Sequence, residues 1–172
     1  LATDDIAADQ AKLLLNSIPV GFAGSVIPAG VVAWVLRGQV PAPTLWLWIW
    51  FVCMVLAQSA RLAVWFAARP EAELRRNPHR WLFRLRMTVL MLGSSWALLP
   101  LLLFPVSPLD GLFVATVIAA VCGAGVAQQS SDAPSALFFM LPSAVSLSVR
   151  LLLSPDPTLQ ASGYLAIMYF AY

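Results

Sequence analysis

The residues able to carry out acid–base, nucleophilic or metal chemistry are few in this chain and far apart. His79 is the only histidine, and the only cysteines, Cys53 and Cys122, both lie in apolar stretches. A single histidine supplies neither a histidine-based metal site nor a Ser-His-Asp triad, and we interpret the two thiols as buried and inert. No H-E-x-x-H, G-x-S-x-G or P-loop pattern occurs. The sequence therefore predicts no catalytic residue, no cofactor and no metal in the chain.

The composition is that of an integral membrane protein. Of the 172 residues, 60% are hydrophobic and only 10% are charged, and the mean hydropathy is +0.83. A soluble domain has about 25% charged residues, so this chain has too few to cover a water-facing surface. The long apolar stretches also lack an acidic residue at mid-depth, which argues against an aspartyl protease or a proton-coupled transporter.

The positive charge is concentrated in one short loop, Arg69–Arg86, between two apolar stretches. Lys and Arg near the ends of membrane spans stay in the cytoplasm, so this loop predicts the direction of every span. Anionic lipid headgroups are its nearest partner, and no nucleic-acid partner is expected. We predict that six arginines of the loop are the topology anchor: Arg69, Arg75, Arg76, Arg80, Arg84 and Arg86.

The chain is predicted to be an all-α, polytopic helical bundle of about six spans in three hairpins, with both termini cytoplasmic. Residues 1–16 form an amphipathic lead-in, and residues 17–172 form the bundle. The sixth segment is too short to cross a bilayer, so we expect the natural protein to continue beyond Tyr172. The expected spans are 17–36, 44–68, 81–104, 109–127, 134–153 and the incomplete 161–172.

Several polar, small or helix-bending residues inside the spans are candidate ligand or packing positions. Trp96 is near mid-depth, so its indole N–H needs a partner inside the bundle, and prolines inside spans bend them. Small residues allow helices to approach closely. The candidate ligand or packing positions are Trp96, Ser94, Ser95, Pro28 and Pro142. The candidate packing glycines are Gly21, Gly24, Gly123 and Gly125.

Three other polar or aromatic features have structural interpretations. Arg61 lies near the inner end of the second span, and we expect its side chain to extend to the interface as an anchor. Trp46, Trp48 and Trp50 point in different directions on one helix, which is typical of an interfacial aromatic belt. Asp132, followed by Pro134, is predicted to be a helix N-cap.

A family resemblance rests on the order of several landmarks in residues 11–172. After the arginine-rich loop come Trp81, the run Gly93-Ser94-Ser95-Trp96, a fourth helix with Gly123 and Gly125, and a proline-containing fifth helix ending in Arg150-Leu151-Leu152. This order resembles the N-terminal multi-helix sensor module of bacterial membrane-bound diguanylate cyclases and related sensor histidine kinases.

The resemblance implies a homodimeric input domain in the bacterial inner membrane. It would receive an unidentified small-molecule signal and control a cytoplasmic output domain after Tyr172, for cyclic-di-GMP synthesis or histidine-kinase signalling. Whether the whole protein is an enzyme then depends on that output domain. A small transporter or channel, and a non-catalytic membrane scaffold subunit, remain the alternatives.

Overall fold

The structure is a computed structural model that describes residues 2–68 and 71–171, and within these ranges it is helical without strands. The all-helical prediction is therefore confirmed. The helices are α1 (Ala2–Val35), α2 (Thr44–Ala67), α3 (Glu71–Arg76), α4 (Pro78–Leu102), α5 (Pro108–Gln128), α6 (Ala133–Leu152) and α7 (Pro157–Ala171).

Five of the described helices are long and apolar enough to cross a membrane: α1 from Asp5, α2, α4, α5 and α6. Helix α7 has 15 described residues, fewer than the roughly 20 that a spanning helix needs. The five apolar helices are compatible with a multi-pass membrane protein.

Helix boundaries differ from the predicted ones in three places. The lead-in is continuous with the first span, so α1 is one helix of 34 residues. The basic loop contains a helix, α3, which the sequence reasoning missed. Helix α7 begins at Pro157, earlier than expected, because Asp156 Oδ1 accepts hydrogen bonds from the backbone N–H groups of Thr158 and Leu159 at 2.8 and 3.1 Å, which is an N-cap.

Helix α6 is the centre of the packing and contacts α4, α5 and α7 extensively. It approaches α4 closely at Gly93, where a Cβ atom would lie only 2.8 Å from the carbonyl oxygen of Phe138. Pro142 has no N–H to bond that carbonyl within α6, and the Ser143 hydroxyl donates to the Gly93 carbonyl at 3.0 Å. The consecutive helices α4 and α5 have no extensive contact, so the second predicted hairpin is not a packed pair.

Two hydrophobic cores lie in series along the bundle. The larger one fills the space between the long helices and includes Trp50, Leu92, Trp96 and Phe139. The smaller one joins one face of the lead-in to α3 and the start of α4. Its buried members are Ala11, Leu14, Leu15, Ile18, Ala68, Leu74, Trp81, Leu82 and Leu85. The lead-in is therefore a packed part of the bundle.

Candidate functional site

A buried charge lies in α2 where we expected a surface anchor. Arg61 is only 2% exposed and Gln58 is fully buried. Both lie on the helix face that also buries Leu47, Trp50 and Met54, so the guanidinium group is enclosed by the bundle and does not extend to the interface. The expectation that Arg61 anchors α2 at the membrane surface is wrong.

The polar groups around Arg61 come from three helices, and we call them the Arg61 cluster: Ser25 of α1, Gln58 and Arg61 of α2, and Gln128 and Gln129 at the end of α5. Gln58 Nε2 donates to the carbonyl of Gly21 in α1 at 3.1 Å. Arg61 Nε, Gln58 Oε1 and Gln129 Oε1 are buried and have no hydrogen-bond partner. The cluster thus contains one unpaired donor and two unpaired acceptors.

A small cavity of about 20 Å³ lies inside this cluster, lined on its polar side by Ser25, Arg61, Gln128 and Gln129. Gly21 leaves room for the polar groups, because a Cβ there would come within 2.7 Å of Gln128 Oε1. A volume of this size is enough for one water-sized particle. The cluster is a candidate site for a very small polar ligand.

The Arg61 cluster lies close to the predicted cytoplasmic side. Arg61 is six residues before the last residue of α2, or roughly 9 Å along the helix axis, and Gln129 is the C-cap of α5. A charge at this depth in a membrane protein is costly, and such a residue is by default a candidate functional site. Among the described side chains, no carboxylate contacts Arg61.

The tryptophan positions differ from the predicted belt. Trp46 and Trp48 are 56% and 39% exposed, but Trp50 is 3% exposed and packs edge-on against Trp96 with ring centroids 5.6 Å apart. Trp50 Nε1 donates to the carbonyl of Ser95 at 2.8 Å. The belt prediction is wrong for Trp50, which is a core residue.

The candidate positions around Trp96 do not converge on one ligand. Trp96 is 1% exposed and its Nε1 has no partner. Ser94 is exposed, and the Ser95 hydroxyl donates to the carbonyl of Met91 in its own helix at 2.8 Å. The structure thus places an unpaired indole N–H in the larger core, between α2 and α4.

The other candidate residues are spread over the bundle. Pro28 and Pro142 are half-buried. Gly125 lies against the Phe139 ring, and a Cβ at Gly123 would lie 3.2 Å from the Tyr169 hydroxyl oxygen. Of the four candidate glycines, Gly21, Gly24 and Gly125 line the cavity of the Arg61 cluster, and Gly123 does not.

The arginines of the basic loop fall into two groups. Arg75, Arg76, Arg80 and Arg84 are exposed, and the Arg84 guanidinium lies 4.9 Å from the Trp81 ring centroid. Arg69 lies outside the described residues. Arg86 is different, because it forms a bidentate ion pair with Asp132, with Nε to Oδ2 at 2.9 Å and Nη2 to Oδ1 at 2.7 Å.

Asp132 is the N-cap of α6, as predicted, since its Oδ2 accepts from the backbone N–H of Ser135 at 3.2 Å. Desolvation by itself would raise the pKa of this carboxyl group. The hydrogen bonds from Arg86 and Ser135, together with the Arg86 charge, outweigh it and hold the pKa of Asp132 below its ordinary value of 3.8. Because its pKa is depressed in the folded state, the ionised Asp132 stabilises the fold fully at pH values above its unfolded-state pKa. This stabilisation is lost as the pH falls through the folded-state pKa.

A second, larger cavity lies at the opposite end of the bundle. It has a volume of about 510 Å³ and is lined by Arg150 and by prolines from the three connections between α1 and α2, α4 and α5, and α6 and α7. The Arg150 guanidinium lies 5.2 Å from the Phe104 ring centroid. These three connections, which are far apart in the sequence, therefore meet at one place. Its proline lining residues are Pro41, Pro105, Pro108, Pro155 and Pro157.

Within the described ranges, no group of three or more His, Cys, Asp or Glu side chains is placed to hold a metal ion. Searches against protein-family models, curated proteins and solved structures found no match for this chain.

The Arg61 cluster had a signal in the sequence that our reasoning missed. Gln58 and Arg61 are spaced at helical intervals from Leu47, Trp50 and Met54, so a polar pair continues an apolar stripe. The position of Arg61 near the inner end of α2 suggested an anchor. Its angular position around the helix, on the same face as the apolar stripe, shows that its side chain points into the bundle.

Proposed function

We propose that the chain is the membrane-embedded input module of a bacterial signalling protein. In this proposal the module controls an output domain that follows Tyr172 in the cytoplasm, for cyclic-di-GMP synthesis or histidine-kinase signalling. The sequence resemblance suggests the class, and the Arg61 cluster supports an input site within it.

The observation that carries the proposal is the buried, unpaired guanidinium of Arg61. Removing one partner from a buried polar pair costs about 1–3 kcal/mol for each unsatisfied group, and more for a charged one. The cluster joins α1, α2 and α5, so any ligand that satisfies it favours one packing of these three helices. An effector shifts a conformational equilibrium by its differential affinity for the two states, and this cluster provides such a difference.

The proposed topology places the basic loop and the Arg61 cluster near the inner face of the bacterial inner membrane. Helix α7 then begins at the outer face as the sixth span, its direction leads the chain back to the cytoplasm, and successive spans run in opposite directions. We further propose a homodimer. Gly24 and Ala124 are exposed on the neighbouring helices α1 and α5, where small residues permit close contact with a second copy.

Reading the coding sequence beyond Tyr172 tests the proposal directly. A cyclase or kinase domain after the sixth span is expected, and a stop codon there would contradict the input function. In the longer protein, Arg61→Met should fix the output activity at one level, irrespective of growth conditions, while Arg76→Met, at an exposed arginine, should leave its regulation unchanged. Normal regulation in the Arg61→Met variant would exclude the cluster as the input site.

A further inference from the structure

We propose that the cavity of the Arg61 cluster binds a small inorganic anion of halide size, with chloride as the physiological example. This inference names the ligand class of the proposed input site, and it rests on the proposed function only for its link to signalling. The binding itself depends on charge, donors and volume.

The charge is the first argument. A guanidinium group stays protonated in proteins, and Arg61 is 2% exposed. The buried carboxylate of Asp132 is paired with Arg86, and Arg61 has no carboxylate partner in the described part of the chain. A water molecule would solvate this charge without neutralising it. Leaving a buried charge uncompensated is strongly unfavourable, so the site favours an anion over water.

The groups that line the cavity are the second argument. Arg61 Nε carries an unpaired N–H, and Ser25, Gln128 and Gln129 line the same cavity as Arg61. A glutamine amide presents either its oxygen or its NH2 group when its terminal group rotates. The four polar side chains that line the cavity therefore all carry a hydrogen-bond donor, and none of the lining side chains is a carboxylate.

The size and position of the cavity limit the ligand. A volume of about 20 Å³ admits one particle of about the size of water and is too small to enclose phosphate or an organic acid. Gln129 ends α5 at the predicted cytoplasmic face, so a cytoplasmic ion has a short path to the site. A monatomic anion is the ligand that fits the charge, the donors and the volume together.

The test is thermal unfolding of the purified chain in detergent, followed by tryptophan fluorescence, with sodium bromide titrated against sodium gluconate at constant ionic strength. Bromide should raise the melting temperature saturably. At about 100 times the dissociation constant, a single site shifts the unfolding equilibrium about 100-fold. The shift should be absent in Arg61→Met and unchanged in the exposed control Arg76→Met.

Equal melting in bromide and gluconate would show that the site holds only water and would overturn the inference, as would a full bromide shift in Arg61→Met. If Arg61→Met does not fold, Gln129→Leu tests the same site and should weaken the bromide shift several-fold. Anomalous scattering from crystals grown in bromide provides an independent readout. A peak within hydrogen-bond distance of Arg61 Nε is expected, and its absence at saturating bromide contradicts the proposal.

Binding and signalling can fail separately. Bromide binding to the chain tests the ligand class alone. Output activity of the longer protein, measured in chloride and in gluconate, tests whether the site is the input. A bromide shift without any anion effect on output would refute the signalling role and leave the anion site established.

Discussion

Two glycines of α5, only two residues apart, should respond to the same substitution in opposite directions. A Cβ at Gly125 would fall on the Phe139 ring, and Phe139 is 2% exposed. A Cβ at Gly123 would meet only the hydroxyl end of Tyr169, at 3.2 Å, and Tyr169 is 58% exposed. The Phe139 ring is enclosed and cannot rotate away, whereas the Tyr169 side chain can.

The magnitudes follow from two opposing effects. Replacing Gly by Ala inside a helix gains about 1 kcal/mol, and forcing a methyl group into a packed core costs about 1–3 kcal/mol. For Gly125→Ala we expect the upper end of that cost, and therefore a net loss of about 1–2 kcal/mol. For Gly123→Ala we expect a gain of about 0.5–1 kcal/mol. The difference of roughly 1.5–3 kcal/mol corresponds to about 3–12 °C in melting temperature for a chain of this size.

The assay is thermal unfolding of both variants in the same detergent, with a double-mutant cycle through Phe139→Leu. The smaller side chain should restore much of the stability of Gly125→Ala, with a coupling energy of about 1 kcal/mol or more. If Gly125→Ala melts at or above the temperature of Gly123→Ala, the close contact between α5 and α6 at Phe139 does not exist as described.

Three further predictions concern the ion pair, the tryptophan pair and the basic loop. Asp132→Asn should lower the stability at pH 7, because the ion pair with Arg86 is lost. It should also remove the part of the stability loss below about pH 4 that arises from protonation of Asp132. Unfolding measured at several pH values tests this, and an unchanged pH profile would contradict the pairing. Trp50→Phe loses a hydrogen bond and should lower the free energy of unfolding by about 1 kcal/mol, whereas Trp48→Phe, at a partly exposed site, should leave it nearly unchanged. Equal melting temperatures of the two variants would argue against the inward position of Trp50. Reversing three loop charges should scramble the orientation of a reporter fused at Asn77, and a reporter that stays cytoplasmic would count against the charge argument. The three changes are Arg75→Glu, Arg76→Glu and Arg80→Glu.

Features that depend on neighbouring residues could be predicted from the sequence. The apolar stretches between turns of Pro, Ser and Asp predicted helices that correspond to α2, α4, α5 and α6, with ends displaced by a few residues. Asp132 was identified as an N-cap because a cap needs only the two or three residues that follow it. The continuity of α1 could not be predicted in this way, since an amphipathic lead-in is compatible with both a surface helix and an extension of the span.

The arrangement of the helix faces was decided only by the tertiary structure. In a membrane protein, lipid and core are both apolar, so an apolar helix carries little information about which of its faces is buried. For this reason Trp50 was placed in a belt and Arg61 at the surface, although both face inward. The pairing of Arg86 with Asp132 joins residues 46 positions apart, and it depends on α4 and α6 being neighbours, which local pattern does not show. The helical, apolar character of the chain is evident from its residues alone, because hydropathy and capping are local. The folded bundle decided which polar groups are enclosed together, because that depends on which helices pack against one another.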